Sequence, residues 1–317
     1  MARFFAGVLV AIFLGGSCVA ETYPSRRIEI VAGYAAGGGM DILARYYARQ
    51  LSVLSGQAVT VMNKPGATGN LASQDIAQSK PDGYRLLWGA TANFVSNQFL
   101  FKQLPYDADR DFTIVATTAE YGFMLVARED SSIRDVRSLL DVVRAKEKAL
   151  YGASGTTGRI AGEMFKKIAN VKAGFVAYKT SQDVLRDVIA GDIDFAVVDA
   201  TAALARERQG GLKVLAITMD RRISASPDVP SMIEAGLPGY ALSGWMAVAA
   251  PKGTPSDIVA KLNEWIAEIS AMPETREYLR NAAAEPLALP LAQIPSFIGA
   301  QTEKWRMMVG ESGVEPQ

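Results

Sequence analysis

The stretch "RIEIVAGYAAGGGMDILARYYARQL", residues 27–51, decides the fold class of this chain. Its first five residues form a short apolar run typical of a buried strand. From Asp41 onward, apolar side chains recur at helical spacing until Gly56 ends the pattern. Three consecutive glycines at 37–39 separate the two patterns. We therefore predict a strand, a tight turn and a helix, with the turn at the edge of a sheet where open α/β folds bind ligands.

The same alternation continues along the chain. Residues 58–62 and 84–88 read as further strands, with a short helix between them, and this order predicts a parallel sheet covered by helices. Further strands are predicted at 120–130, 149–153, 175–178, 193–199, 213–218 and 245–251. One further helix is predicted to begin with Ser131 or Ser132 as its cap, and others are predicted at 160–169, 182–190, 256–270, 273–284 and 294–309. With 317 residues, 49% of them hydrophobic, two α/β lobes are favoured over one.

Residues 1–20 have the pattern of a secretory signal peptide. Arg3 precedes an apolar core at 4–14, which is too short for a membrane span, and small residues follow up to Ala20. Cleavage after Ala20 would remove 20 of 317 residues and leave 297. Attachment of a lipid to Cys18 is the alternative, but Gly15 stands where a lipidation motif has leucine. We expect a protein exported to the periplasm.

The composition excludes several kinds of chemistry. Histidine is absent, so neither a Ser-His-Asp nor a Cys-His catalytic arrangement can form. The single cysteine, Cys18, lies in the predicted signal peptide, which leaves a zinc site without its usual nitrogen and sulfur ligands. The 33 basic and 33 acidic residues balance, and no long basic block indicates nucleic-acid binding. We expect no metal and no cofactor.

The glycine turn is suited to binding an anion. The amides of Gly39, Met40 and Asp41 would be free at the start of the helix, pointing along its axis. The helix dipole contributes up to ~2 kcal/mol in a partly buried site, and each charge-assisted hydrogen bond ~1.5–3 kcal/mol. The turn matches neither the dinucleotide-binding fingerprint nor the phosphate-loop motif, and residues 33–41 contain no lysine that could balance a phosphate. A carboxylate is therefore the favoured anion.

A purely structural interpretation of the same turn is also open. The glycines can simply make a tight turn, with Asp41 as a helix cap that pairs with Arg45 four residues later.

Three other segments offer candidate ligand-binding residues. Thr91 and Asn93 follow the third predicted strand, where they could also be ordinary turn formers. Residues 151–159, "YGASGTTGR", again place small and hydroxyl residues between a predicted strand and a predicted helix. Residues 152–156 nearly match a nucleophile elbow, but without histidine a serine nucleophile would lack its base. Asp199 could accept a hydrogen bond from a ligand or cap the next helix. Trp245 could line a cleft or fill the core.

Several strings are specific to one family. They include "VMNKPGATGN", "PDGYRLLWG", "AYKTSQDVLRDVIAGDIDFAVVD", "SPDVPSMIEAGLPGY" and "GWMAVAAPKGTP". Together with the opening stretch, they make nearly all of the mature chain resemble the periplasmic solute receptors of tripartite tricarboxylate transporters, the Bug-type proteins.

The resemblance implies a two-lobed, type II periplasmic-binding-protein-like fold with the ligand in the cleft between lobes. One lobe would comprise residues 21–122 and 247–317 and the other residues 123–246, joined by hinge strands near 123–126 and 245–248. A small organic carboxylate would be held and passed to the membrane permease subunits, and we expect a monomer. The ligand-binding residues implied are Tyr34, Ala36, Gly38, Gly39, Asp41, Thr91, Asn93, Ser154, Gly155, Thr156, Thr157, Arg159 and Asp199.

The chain departs from the family pattern in both loops. Ala35 and Ala36 replace the usual prolines, and the second loop is two residues shorter, with Arg159 in place of a usual histidine. Arg159 could pair with a second ligand carboxylate or face solvent. Two other functions stay open at this point: a receptor that feeds a signalling partner, and an exported hydrolase or lyase that uses Asp41 and Asp199.

Overall fold

The computed structural model describes residues 22–316. The predicted signal peptide, its cleavage point and Cys18 lie outside the described residues. Within them, strands and helices alternate as predicted and form two sheets flanked by helices.

The elements are numbered in chain order. Strands β1 to β11 are Ile28–Ala32, Val59–Asn63, Arg85–Ala90, Phe112–Tyr121, Phe123–Arg128, Leu150–Ser154, Gly174–Tyr178, Phe195–Asp199, Leu212–Ile217, Gly244–Pro251 and Ala284–Pro286. Helices α1 to α11 are Gly39–Ser55, Asn70–Ala77, Asn97–Leu100, Ala108–Asp111, Val136–Ala145, Gly155–Ala169, Ser181–Ala190, Ala200–Glu207, Ser256–Ala271, Pro273–Asn281 and Ile294–Ser312.

The first sheet has the strand order β11-β4-β10-β3-β1-β2. β1 pairs in parallel with β2 and β3, as the opening pattern of the sequence predicts. β10 is antiparallel to both β3 and β4. Because two reversals restore the direction, β4 runs the same way as β3. Tyr121 at the end of β4 therefore lies at the edge where β1 and β3 also end.

The second sheet has the order β7-β6-β8-β5-β9. β6 is parallel to β7 and β8, whereas β5 is antiparallel to β8 and β9. Phe123, the first residue of β5, pairs with Asp199, the last residue of β8. The start of β5 thus lies at the edge where β6 and β8 end.

Helix α1 follows its sequence pattern closely. Leu43, Tyr47 and Leu51 are buried, and the Tyr47 ring packs against Trp88 of β3 with their centroids 5.3 Å apart. The helix ends where Gly56 takes a left-handed φ of 67°, a conformation that glycine adopts without steric cost.

The predicted cap of α5 was wrong. Asp135 accepts a hydrogen bond from the Ser138 amide at 2.7 Å, and the Ser138 hydroxyl accepts one from the Asp135 amide at 3.0 Å. Ser131, one of the two serines predicted as alternative caps, instead donates to the Arg128 carbonyl at 2.6 Å. The capping box fixes the helix start, because it satisfies two amides reciprocally.

Most of β4 was missed in the sequence. The predicted strand at 120–130 spans the end of β4, Gly122 and all of β5. Thr117 and Thr118 interrupt the apolar run of β4, yet both are buried because distant main-chain groups satisfy them. The Thr117 hydroxyl accepts from the Leu289 amide at 3.0 Å, and the Thr118 hydroxyl donates to the Met246 carbonyl at 3.2 Å.

The chain crosses between the sheets at Gly122 and returns just before Gly244. Thr218, which is fully buried, binds both crossings. Its hydroxyl accepts from the Phe123 amide at 2.9 Å and donates to the Leu242 carbonyl at 2.8 Å. Its main chain bonds to the same two residues at 2.8 and 2.7 Å.

The expected hinge positions, near 123–126 and 245–248, stay a prediction. Residues 123–126 pair with strands of the second sheet, and residues 245–248 pair with strands of the first. Both segments are therefore inside sheets, and the crossings lie immediately before them.

Candidate functional site

The two predicted loops lie at one junction between the sheets. Residues 33–38 follow β1 at the edge that Tyr121 shares, and α6 follows β6 at the edge that Phe123 shares. Since only Gly122 separates Tyr121 from Phe123, these two edges adjoin. Strand register alone thus brings both loops to the same part of the molecule.

The first loop presents a helix start with free main-chain donors. α1 begins at Gly39, and no side chain in residues 22–316 caps its first turn. Ala36, Gly38 and Gly39 are exposed, and a Cβ placed on Gly39 would meet no atom within 4 Å. Within the described residues, the amides of Gly39, Met40 and Asp41 thus have no side-chain cap and remain available as donors at the start of the helix.

Asp41 holds this loop from the inside. Its buried carboxylate accepts hydrogen bonds from the Gly37 amide at 2.8 Å, Arg45 Nε at 3.0 Å and Asn63 Nδ2 at 2.7 Å. Burial alone would raise the pKa of Asp41, but these donors outweigh it and lower the pKa to about 2. The predicted pairing with Arg45 is confirmed, whereas the predicted helix cap is not, because the carboxylate binds the turn that precedes the helix.

Asn93 joins three segments of the first sheet's edge. Its Oδ1 accepts from the Ala90 amide at 3.0 Å and the Tyr34 hydroxyl at 3.1 Å. Its Nδ2 donates to the Gly69 carbonyl at 3.1 Å and the Ser73 hydroxyl at 2.9 Å. Burial and the nearby hydroxyls of other tyrosines raise the pKa of Tyr34 well above its usual value. Both groups of the Asn93 amide thus have protein partners.

Thr91 ties the end of β3 to β10. Its buried hydroxyl accepts from the Trp245 amide at 2.7 Å and donates to the Trp245 carbonyl at 3.2 Å. Trp245 is fully buried and stacks on Phe94 with their ring centroids 5.8 Å apart. Trp245 therefore fills the core, which was one of its two predicted roles.

The second loop repeats the open helix start. α6 begins at Gly155 after Ser154, and within the described part of the chain no side chain caps it and no acidic residue stands in its first turn. The Ser154 hydroxyl instead bonds to Ser181 Oγ at 2.9 Å. Gly155 has a φ of +69°, and a Cβ there would meet nothing within 4 Å. Thr156 and Thr157 are partly exposed in the same turn.

The neighbouring helices of the second sheet differ from α6. α5, α7 and α8 are each capped by a side chain: Asp135, Thr180 and Asp199, respectively. Asp199 accepts from the Ala202 amide at 2.8 Å, so its predicted capping role is confirmed. The uncapped start of α6 thus coincides with the position predicted for ligand binding.

Arg159 lies further from the junction than the loop itself. Its guanidinium carbon sits 5.0 Å from the centre of the Phe175 ring. Phe175 precedes Tyr178, the strand partner of Ser154, by three residues, which corresponds to roughly 10 Å along a strand. The Nε of Arg159 is buried without a hydrogen-bond partner among the described residues. This placement favours a cation–π contact on the sheet face.

The loop that follows β2 also borders the site, although it was not predicted as part of it. Residues 66–69 all have positive φ, with values of 140°, 46°, 55° and 86°. Asn97 Nδ2 donates to the Thr68 carbonyl at 3.3 Å and helps hold this conformation. The loop reaches the site because β2 and β1 are parallel and end at the same edge. The string "KPGATGN" by itself predicts only a turn.

Two uncapped helix starts, those of α1 and α6, thus lie on adjoining sheet edges. In residues 22–316, no group of three or more His, Cys, Asp or Glu residues is placed to hold a metal. The helices of that part are all too short or too polar to span a bilayer. The fold belongs to the class of two-lobed solute-binding receptors.

Comparison with known proteins identifies the family. The sequence profile described as tripartite tricarboxylate transporter family receptor matches residues 43–314. The UPF0065 protein in the tcbD-tcbE intergenic region of Pseudomonas sp. is 31% identical over 98% of this chain and 94% of its own length. Protein BugT of Bordetella pertussis is 29% identical over 99% of both chains.

Solved structures agree with this match. R. palustris Rpa4515 with adipate has a TM-score of 0.82 at 30% identity and covers 93% of this chain and 100% of its own. MatC from Rhodopseudomonas palustris with bound malate has a TM-score of 0.75 at 27% identity and covers 90% of this chain and 100% of its own. The chain belongs to the tripartite tricarboxylate transporter receptor family, and it is a receptor and not an enzyme.

Proposed function

We propose that this chain captures a small organic carboxylate at the junction of its two sheets and delivers it to the membrane subunits of a tripartite tricarboxylate transporter. The observation that carries the proposal is the pair of uncapped helix starts, α1 and α6, on edges separated by Gly122. Relatives with adipate and with malate support the ligand class.

In this mechanism the main chain recognises the charge of the solute. A carboxylate oxygen at each helix start would accept hydrogen bonds from amides that have no partner in the first turn. Asp41 and Asn93 would position the first loop, and Thr156 and Thr157 would add hydroxyl donors from the second. Bringing both helix starts onto one solute would move the lobes together and populate a closed state.

The proposal includes a lobe boundary, a location and an oligomeric state. We place residues 21–122 and 244–317 in one lobe and residues 123–243 in the other, because β10 pairs with the first sheet from Gly244 onward. The chain would act in the periplasm as a monomer after cleavage behind Ala20.

The test combines a ligand screen with a substitution that introduces a negative charge at the start of α6. Thermal-shift screening of residues 21–317 against mono-, di- and aromatic carboxylates should reveal a class that raises the melting temperature. Thr157→Asp would add a carboxylate to the first turn of α6, competing with the solute for its amides. We expect this variant to lose at least about tenfold in solute affinity, whereas the neutral Thr157→Asn should lose much less. Equal affinities in the two variants would contradict the proposal.

A further inference from the structure

A groove lies where the two halves of the chain touch on the side of α8 and α10. It consists of two adjoining cavities of about 460 and 560 Å³ that share Ser224 and Arg280 in their walls. One wall comes from α8 and the segment after β9, and the other from α10 and β11. The groove is separate from the helix starts of α1 and α6, which do not line it.

Both halves of the molecule build this groove. The Thr201 hydroxyl of α8 donates to the Ala282 carbonyl at 2.8 Å, next to α10. The Ser224 amide donates to Glu285 Oε1 of β11 at 2.6 Å. The groove therefore changes shape whenever the two lobes move relative to each other.

Three exposed arginines line the groove without ionic partners. Glu277 and Glu285 line it as well, and Glu285 accepts from the Ser224 amide, so three positive and two negative side chains leave one net positive charge. Arg208 follows α8, and Arg276 and Arg280 lie one turn apart on α10. Across residues 22–316, no carboxylate oxygen comes within 4.0 Å of any of these three guanidinium groups. The nearby Arg221 and Arg222, by contrast, are paired at 2.6 and 3.0 Å with glutamates.

We propose that this arginine groove docks an acidic segment of the transporter's membrane subunits, an inference that rests on the proposed transport role. Arginine forks bind carboxylates bidentately, so a run of acidic side chains complements three of them. The two joined cavities favour an extended segment over a single small anion. Because Arg208 comes from one lobe and Arg276 and Arg280 from the other, the affinity for such a segment depends on the lobe arrangement. Docking and solute capture are then coupled reciprocally.

Fluorescence anisotropy with labelled hexaglutamate tests the groove directly. The mature chain should bind the peptide saturably at low salt and more weakly as salt is added. The triple variant Arg208→Gln, Arg276→Gln, Arg280→Gln should lose at least about tenfold in peptide affinity. Arg137→Gln, which removes an exposed arginine of α5 that does not line the groove, should bind like the parent.

Other outcomes would overturn the proposal. They are an absence of saturable binding, equal binding by the triple variant, or displacement of hexaglutamate by equimolar inorganic phosphate, which would assign the groove to a free anion. Thermal shifts with carboxylates should be the same in the triple variant and the parent. A negative peptide-binding result would thus leave the proposal of solute capture standing. A chain that binds no carboxylate could still be tested for peptide binding.

Discussion

Asp41 and Asn93 show how single residues shape the site without offering their own polar groups to a solute. Asp41 accepts from a loop amide and two side chains, and Asn93 bonds to four groups on three segments. Asn93 thus uses all four of its hydrogen-bonding positions within the protein, and Asp41 uses three of about four. We therefore expect the main-chain amides at the two helix starts to bind the charge of a solute, because no side chain of the described residues caps them.

Acidification should remove the contribution of Asp41 to stability. Its pKa is about 2 in the folded chain, against an ordinary value of 3.8. The ionised carboxylate therefore stabilises the folded state above the unfolded pKa, and this stabilisation is lost as the pH falls from about 4 towards about 2. Between these limits, we expect the melting temperature of Asp41→Asn to fall less than that of the parent. Parallel curves by circular dichroism would contradict this role.

The sequence predicts the residues of the site unevenly. The free amides of Gly39 to Asp41 follow from a local pattern, glycines before a helix, and so could be predicted. The partners of Asn93 could not, because Ser73, Gly69 and Tyr34 lie 20, 24 and 59 residues away in sequence. Only the assembled sheet edge brings them together.

At the scale of elements, the two crossings between the sheets are held by one side chain. Thr218→Val would leave the partly buried Phe123 amide and the buried Leu242 carbonyl without the hydroxyl that now satisfies them. We expect a loss of about 1–3 kcal/mol in the free energy of unfolding, measured with urea. Thr218→Ser keeps the hydroxyl and should recover most of this loss. A valine variant as stable as the parent would show that the hydroxyl does not hold the crossings.

The return crossing also depends on the absence of a side chain at Gly244. A Cβ there would lie 2.4 Å from the Tyr121 ring. Gly244→Ala should therefore cost about 1–3 kcal/mol through overpacking. Gly299→Ala is the matched control, because this glycine lies in α11 and a Cβ added to it would meet no atom within 4 Å. The control should stabilise the chain by up to ~1 kcal/mol, and the same sign for both variants in thermal unfolding would contradict the packing argument.

Elements with clear local signals were predicted closely. β1, α1 and β2 lie within one or two residues of their expected positions, because periodicity and glycine stops mark them. β4 was largely missed because its buried threonines are satisfied by β10 and by the segment after β11, which are more than 100 residues away. The crossing at Gly122 could not be predicted either, because β4 and β5 are distinguished by the strands with which they pair and not by their composition.

At the scale of the whole molecule, two sheets place one open helix start each at a shared junction. The two-lobed α/β class could be predicted from alternation and length, and the family resemblance supplied the order of the lobes. The groove between α8 and α10 could not be predicted, since its arginines come from segments about 70 residues apart that meet only through tertiary contacts.

The central claim is that a solute carboxylate lies between the starts of α1 and α6. A crystal structure of the mature chain with the carboxylate that stabilises it most tests this directly. We expect carboxylate oxygens within about 3.2 Å of amides at Gly39–Asp41 and at Gly155–Thr157, directly or through one ordered water. A solute bound away from both helix starts would contradict the account.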